Sequence, residues 1–371
     1  MPRFIPGLRL SEMYYRQIIE PILRSKLRNL KYSAGLIGSG SEVLGYDTPQ
    51  SRDHNWGLRL FLFLTEEDLR TKSKQLDEVL RQNLPKSFLG YPTSFGRPDE
   101  IGVRVPKQSN SGEIDHYVMF FTIRSFFKDY LDLNPYQEIG VSTWLTLPQQ
   151  KLLSLIKGRM FRDDLGIRQI LMKFEYYPRD VWFFLLASQW SKISQKEALV
   201  GRTAEIGDEL GSKIIAAEIA KDLMALCFLM EKRFMPYTKW FGKAFSELEI
   251  ARKISPVLKR ILYSKSIKER ECHLGKAYSI VASKHNSLKI TKLMETEVSK
   301  YYNRPYLVIH GDEFAKEIMK KIRDPSIRNL PTIGSIDQIA GRPELLEDAQ
   351  LQSILRHVYL VKESAKRKPT T

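Results

Sequence analysis

The spacing of apolar residues in the first third of the chain predicts short strands among helices. Leu8–Leu30 has a helical pattern in which Pro21 predicts a kink. Two short apolar runs, 32–37 and 58–64, predict buried strands. The polar stretch Gly38–Gly57 lies between those two runs. We therefore expect a polar loop that connects two strands.

The chain continues with a helix, a long loop and a third strand. Thr65 with the acidic residues after it resembles a capping box, and it predicts a helix to about residue 83. Residues 84–112 are rich in Pro, Gly and Ser, which is typical of a loop that covers a site. Residues 113–127 start as a strand. The order of these elements predicts a small α/β unit.

Helical periodicity dominates after about residue 133. Thr146 with Pro148 predicts the start of a helix. Further helical patterns cover residues 204–234, 238–263, 265–285, 312–322 and 345–362. The predicted fold class is α+β, with a mixed-sheet α/β head at residues 1–133 and an all-α helical bundle domain at residues 134–371.

Composition and charge narrow the class of protein. The 371 residues are 43% hydrophobic, which suits a globular protein of about two domains. No apolar run reaches the ~20 residues of a membrane helix, and two cysteines provide no disulfide framework, so we expect a cytoplasmic protein without membrane partners. The net charge of +16 fits either nonspecific binding of nucleic acid or a surface that keeps the protein soluble.

The polar loop contains residues suited to phosphate chemistry. Gly40 allows a backbone to approach a triphosphate closely, and the hydroxyl of Ser41 can bind its oxygens. Asp53 follows Ser41 by twelve residues, near the start of the next strand. A carboxylate in that position can hold Mg²⁺, although Asp53 is also a common turn residue.

The loop resembles a known signature. GSEVLG at residues 40–45, followed by SRDHNWG at 51–57, is similar to the Gly-Ser and Asp-x-Asp signature of the nucleotidyltransferase superfamily, the DNA polymerase β-like group. More closely, the chain resembles an uncharacterised microbial family with a nucleotidyltransferase-like head and a helical C-terminal domain of unknown function. Further motifs that carry this resemblance are YYP at 176–178, GR at 201–202, GDELGS at 207–212, PYTKWF at 236–241 and NRP at 303–305.

The resemblance implies a nucleotidyltransferase-type head and a transfer reaction. Nucleoside monophosphate would pass from an NTP to a hydroxyl or amine of an acceptor, with Mg²⁺ as cofactor. Gly40 and Ser41 would hold the phosphates and Asp53 would be the main metal ligand. The acceptor is a small molecule, a protein side chain or an RNA end, and we expect the site in a cleft between the two domains.

The second acidic position of the signature is occupied by Asn55, whose neutral oxygen is a weaker ligand for Mg²⁺. The strand near residues 113–121 has carboxylates only at its start, at Glu113 and Asp115. Either of these or Asp47 supplies the third ligand, or the metal site is incomplete. In the last case the head would be a catalytically degenerate fold that binds nucleotide or RNA.

Several charged residues have two interpretations. Arg59 either forms a buried ion pair or reaches a phosphate. Asp208 either caps a helix or acts as a general base. Arg202, in the same region, is a candidate for binding the nucleotide. Lys239 either contacts the triphosphate or faces solvent.

Overall fold

The structure, a computed structural model, describes residues 2–52, 55–100, 102–108 and 112–360. It divides into two compact units. The first consists of Met1–Glu138 and Lys151–Glu175, and the second of Ile139–Gln150 and Tyr176–Thr371. The fold is mixed α/β, with a small mixed sheet and a helical C-terminal region.

The first unit contains the main sheet. Its strands, in chain order, are β1 (Ser33–Leu36), β2 (Arg59–Phe63), β3 (Ser87–Phe88), β4 (Tyr91–Pro92), β5 (Tyr117–Phe121) and β6 (Arg159–Asp163). Four of them form one sheet in the order β5-β2-β1-β6. β1 is antiparallel to both of its neighbours, and β2 is parallel to β5. The loop between the first two strands therefore joins adjacent strands of one sheet, as the sequence predicts.

Helices alternate with these strands along the first half of the chain. They are α1 (Gly7–Tyr14), α2 (Glu20–Lys26), α3 (Ser41–Leu44), α4 (Glu66–Asn83), α5 (Ile123–Leu131), α6 (Val141–Thr146), α7 (Gln149–Lys157) and α8 (Ile167–Leu171). A π-helical turn, Tyr15–Ile19, connects α1 to α2 just before Pro21. The proline nitrogen cannot donate to a helical carbonyl, so the disturbance expected at Pro21 occurs in the turn before it.

The two faces of the sheet bury different side chains. Leu60 and Leu62 of β2 point into a core cluster with Leu10 and Tyr14 of α1. On the opposite face, the alternate β2 residues join an aromatic group that includes Phe126 of α5. Both faces of β2, a central strand of the sheet, are thus apolar.

The second unit is helical apart from one short hairpin. Its remaining helices and strands are α9 (Arg179–Glu197), α10 (Leu199–Glu205), α11 (Glu209–Met230), α12 (Thr238–Phe245), α13 (Ala251–Tyr263), α14 (Ile267–Ser287), β7 (Ser299–Lys300), β8 (Leu307–Val308), α15 (Gly311–Met319), α16 (Pro325–Arg328), α17 (Ile336–Ile339), α18 (Pro343–Glu347) and α19 (Ala349–Leu355). Trp190 of α9 stacks on Phe314 of α15 with ring centroids 4.2 Å apart. α9 is the most deeply buried helix of this unit, with apolar residues around its whole circumference.

Two details differ from the sequence-based expectation. The unit boundary is not a single cut after residue 133, because the chain returns to the first unit at Lys151–Glu175 to supply β6, which pairs with β1. Thr146 ends α6 instead of capping the next helix. The strand β6 is only five residues long, so it does not stand out from the helical periodicity that follows residue 133. The return of the chain to the sheet is therefore not predicted from the sequence.

Candidate functional site

The Gly-Ser loop follows β1 and contains two bends. Gly38 (φ 85°) donates its N–H to the carbonyl of Ser154, and Gly40 has a φ of 150°. The short helix α3 begins directly after Gly40 and ends at Gly45, which adopts the left-handed conformation. The φ values of Gly38 and Gly40 are ones that only glycine adopts readily. Gly40 thus precedes the first residue of α3, Ser41.

A buried ion pair lies against this loop. The Nε of Arg59, at the start of β2, donates to Oε1 of Glu42 over 2.8 Å, and its Nη2 donates to the carbonyl of Ser39 over 2.7 Å. The exposed fractions of the Arg59 and Glu42 side chains are 5% and 3%. Of the two interpretations of Arg59, the structure has the buried ion pair. The pair ties β2 to the backbone immediately before Gly40.

Asp47 is engaged in a structural role. Its Oδ2 accepts hydrogen bonds from the backbone N–H of Gly7 at 2.7 Å and from the indole N–H of Trp56 at 2.9 Å. A carboxylate at the first turn of α1 is favoured by the unpaired N–H groups of a helix start. Asp47 therefore anchors the first helix on the loop through Oδ2.

Asn55 is held by the long loop that follows β4. Its Oδ1 accepts from the backbone N–H of Arg104 at 2.9 Å and from the hydroxyl of Tyr117 at 3.0 Å. Its own N–H donates to the carbonyl of Arg104. Asn55 adopts a φ of 47°, a conformation that asparagine tolerates better than most residues. The oxygen predicted to face Mg²⁺ is thus used to fasten this loop.

The two carboxylates before β5 have different surroundings. Asp115 forms ion pairs with Arg104 at 3.1 Å and with Arg81 at 3.4 Å. Glu113 is exposed and lies four residues before the first residue of β5. Neither residue is on the strand itself. Arg104 connects Asn55 to Asp115, so a guanidinium lies among the predicted metal ligands.

These contacts test whether the residues suit Mg²⁺. The oxygens of Asp47, Asn55 and Asp115 each accept from, or pair with, two protein groups. Within the part of the chain that the structure describes, no group of three or more His, Cys, Asp or Glu side chains could hold a metal ion. Asp53, predicted as the main ligand, lies outside the described residues, as does His54. The described residues do not fit a two-metal site.

In the second unit, Asp208 has the capping role. Its Oδ1 accepts the N–H of Gly211 at the start of α11, over 2.8 Å. The neighbouring Glu209 forms an ion pair with Arg270 of α14, and this hydrogen bond holds the pKa of Glu209 below its usual value. Arg270 is fully buried and also donates to Ser212 at 2.6 Å. This region joins α11 to α14.

Arg202 and Lys239 are exposed side chains of the second unit. Arg202 lies on α10, and Lys239 lies in the first turn of α12. The ammonium of Lys239 is 4.9 Å from the centroid of the Trp240 ring, a cation–π distance. The turn before Lys239 is fixed because Gln150 accepts the N–H of Tyr237 at 2.9 Å. Their predicted contacts with a triphosphate stay predictions.

Two arginines that connect several residues, Arg270 and Arg104, were not predicted from the sequence. Arg270 precedes Leu274 by four residues, so the helical period of α14 places it on the buried face, and that signal was available. Arg104 belongs to a long loop without periodicity, and no pattern in the sequence connects it to Asn55. Its role depends on how the loop folds back on the sheet.

The chain was compared with known protein families and with curated proteins. The family described as "Domain of unknown function (DUF4037)" matches residues 144–241. This match contains four of the motifs noted above, at residues 176–178, 201–202, 207–212 and 236–241. It excludes the Gly-Ser loop. No curated protein matches the chain.

Proposed function

We propose that the first unit binds a nucleoside triphosphate at the Gly-Ser loop, residues 38–45. The proposal is supported by three features together. A strand leads into Gly40 and Ser41, the chain then enters an antiparallel neighbour in the same sheet, and that neighbour pairs in parallel with β5. The first two are the arrangement that the resemblance to nucleotidyltransferases implies.

The observation that carries the proposal is the crowding around Gly40. A Cβ atom at this position would lie 2.5 Å from Nη2 of Arg59 and 2.6 Å from the Glu42 carboxylate. The Arg59–Glu42 ion pair therefore fixes the backbone at Gly40, and it leaves no room for a side chain at this position. A preorganised, side-chain-free backbone is what a loop needs to approach a triphosphate closely.

Binding without transfer is the outcome that the described residues favour. A two-metal site needs several oxygens free to coordinate, and one side-chain oxygen of each of Asp47, Asn55 and Asp115 is used within the protein. Transfer of nucleoside monophosphate to a hydroxyl or amine, with release of pyrophosphate, is the second candidate. It is favoured by Asp53, which keeps its place in the signature.

Calorimetric titration of the full chain with non-hydrolysable NTPs tests the proposal. We expect saturable binding that Gly40→Ala abolishes, because the added methyl group collides with Arg59 and distorts the loop. Gly45→Ala is the matched control. It also places alanine at a positive φ, but its Cβ meets no atom within 4 Å, so binding should be retained.

Absence of binding by the wild-type chain with every NTP, with and without Mg²⁺, would refute the proposal. Equal loss of binding in Gly40→Ala and Gly45→Ala would refute the role of the crowded position. Incubation with labelled NTP and cell extract separates the two candidates. A labelled acceptor that appears with wild type and disappears with Asp53→Ala would establish transfer.

A further inference from the structure

The surface of α13 and the start of α14 carries an unusual run of positive charge. Between Glu249 and Glu269 the chain has no acidic residue and six basic ones, Arg252, Lys253, Lys259, Arg260, Lys265 and Lys268. All six are exposed. α13 buries its apolar side through residues such as Ile254 and Leu258, so its cations are on the solvent side.

The side chains of these cations are unpaired, unlike those of α15, another helix of the second unit. No side chain of the six forms an ion pair or hydrogen bond within the residues that the structure describes. By contrast, Lys316 of α15 lies 2.8 Å from Asp312, and Lys320 just after it lies 2.6 Å from Glu317. The positive potential on α13 is therefore not neutralised locally, and it is available to an external anion.

A groove runs along this charged surface. It lies between α13 and α14, has a volume of about 650 Å³, and is lined by Arg252 and Lys253 on one wall. On the other wall are Ser279, Ser283 and Ser287, which recur every four residues and so share one face of α14. Cations on one wall thus face a row of hydroxyl groups on the other.

The acidic residue of the groove lies at its rim. The Glu249 side chain is 84% exposed and pairs with Lys284 over 3.1 Å. Lys284 is also 3.7 Å from Glu231, which accepts the N–H groups of residues 249 and 250 at the start of α13. These carboxylates neutralise Lys284, and the unpaired cations of α13 set the charge of the groove.

We propose that this groove binds the phosphate backbone of single-stranded RNA. Unpaired Lys and Arg attract phosphates, and the serine hydroxyls can bond both phosphate oxygens and the 2′-hydroxyl of ribose. A cavity of this size holds a small ligand, on the order of one or two nucleotides, at a time. Farther along α13, Tyr263 is 80% exposed and is available for base stacking.

Fluorescence anisotropy with a labelled RNA 12-mer and the full chain tests this proposal. We expect Arg252→Gln/Lys253→Gln/Lys259→Gln to weaken binding about tenfold or more at low salt. The slope of log affinity against log salt should also fall by about 2, since each phosphate contact on a single strand contributes about 0.7. DNA of the same sequence should bind more weakly because it lacks the 2′-hydroxyl.

The matched control removes the same charge from another surface. Arg24, Lys26 and Arg28 are exposed and unpaired within the described part of the first unit, so Arg24→Gln/Lys26→Gln/Arg28→Gln changes net charge equally. We expect it to bind RNA like wild type. A second pair of variants avoids α13 altogether. Ser283→Glu should weaken binding strongly by repelling phosphate, whereas Ser283→Ala should weaken it only slightly, through the loss of one hydroxyl.

Four results would overturn the proposal. These are no RNA binding by the wild-type chain at low salt, equal loss in the groove and control triple variants, equal affinity for DNA of the same sequence, and tighter binding of duplex RNA or of anionic vesicles. Because the groove belongs to the second unit, NTP binding at the Gly-Ser loop would be unaffected by the groove variants. The experiments therefore distinguish failure of the RNA proposal from failure of the NTP proposal.

Discussion

At the scale of single residues, the account depends on the pair formed by Arg59 and Glu42. Both side chains are buried, and Arg59 also holds the carbonyl of Ser39. A buried charge that loses its partner is costly, whereas replacing both charges by apolar groups is often tolerated. This asymmetry allows a sharp test of whether the pair supports the loop.

Glu42→Gln should lower the free energy of unfolding by about 3 kcal/mol, because it leaves the guanidinium of Arg59 buried without a counter-charge. Chemical denaturation monitored by circular dichroism measures the change. The double variant Glu42→Leu/Arg59→Met should recover most of the lost stability. It should still lose NTP binding, since nothing then fixes the backbone at Ser39 and Gly40.

A loss below about 0.5 kcal/mol for Glu42→Gln would contradict this account, since that is the range of ordinary surface substitutions. So would normal NTP binding by the double variant, because the loop would then keep its shape without the ion pair.

At the scale of elements, the start of α15 is organised by one carboxylate of α9. Glu197 accepts the N–H groups of Ile309 at 2.7 Å and Gly311 at 3.1 Å, where His310 adopts a φ of 56°. Burial raises the pKa of Glu197 to about 7, and the two N–H groups only partly oppose this shift. The contact between the last turn of α9 and α15 should therefore depend on pH.

We predict that Glu197 makes stability fall as pH rises from about 4.5 to above 7. The folded chain binds a proton at Glu197 in this range and the unfolded chain does not, so stability is full below pH 4.5 and is lost through pH 7. The loss is about 3 kcal/mol. Thermal unfolding of wild type and Glu197→Gln from pH 4.5 to 8 measures it, with the difference between the two curves as the readout. Parallel curves would contradict the prediction.

The sequence predicts the elements better than the site. Alternation and capping located β1, β2 and α4, with Thr65 accepting the N–H of Asp68 as expected. The predicted ligand set depended on where side chains point. Asn55 and Asp115 both contact Arg104 of the long loop, and no local pattern encodes the contact between Asn55 and Arg104, 49 positions apart. Long-range contacts of the loops determine the surroundings of the predicted site residues.

At the scale of the whole molecule, the two units carry separate proposals. The first unit holds the Gly-Ser loop, and the second holds the groove between α13 and α14. The excess of Lys and Arg over Asp and Glu is larger in the second unit. Among the described residues, no helix combines the length and the apolar character required to cross a membrane. We therefore expect nucleotide and RNA to bind independently at different units.

The most direct test of the central claim is a crystal structure of the chain soaked with a non-hydrolysable NTP and Mg²⁺. The account predicts density for the triphosphate over Gly40 and Ser41, with phosphate oxygens within hydrogen-bond distance of the loop backbone and with the Arg59–Glu42 pair intact beneath it. Nucleotide density elsewhere in the molecule, with this loop empty, would contradict the claim.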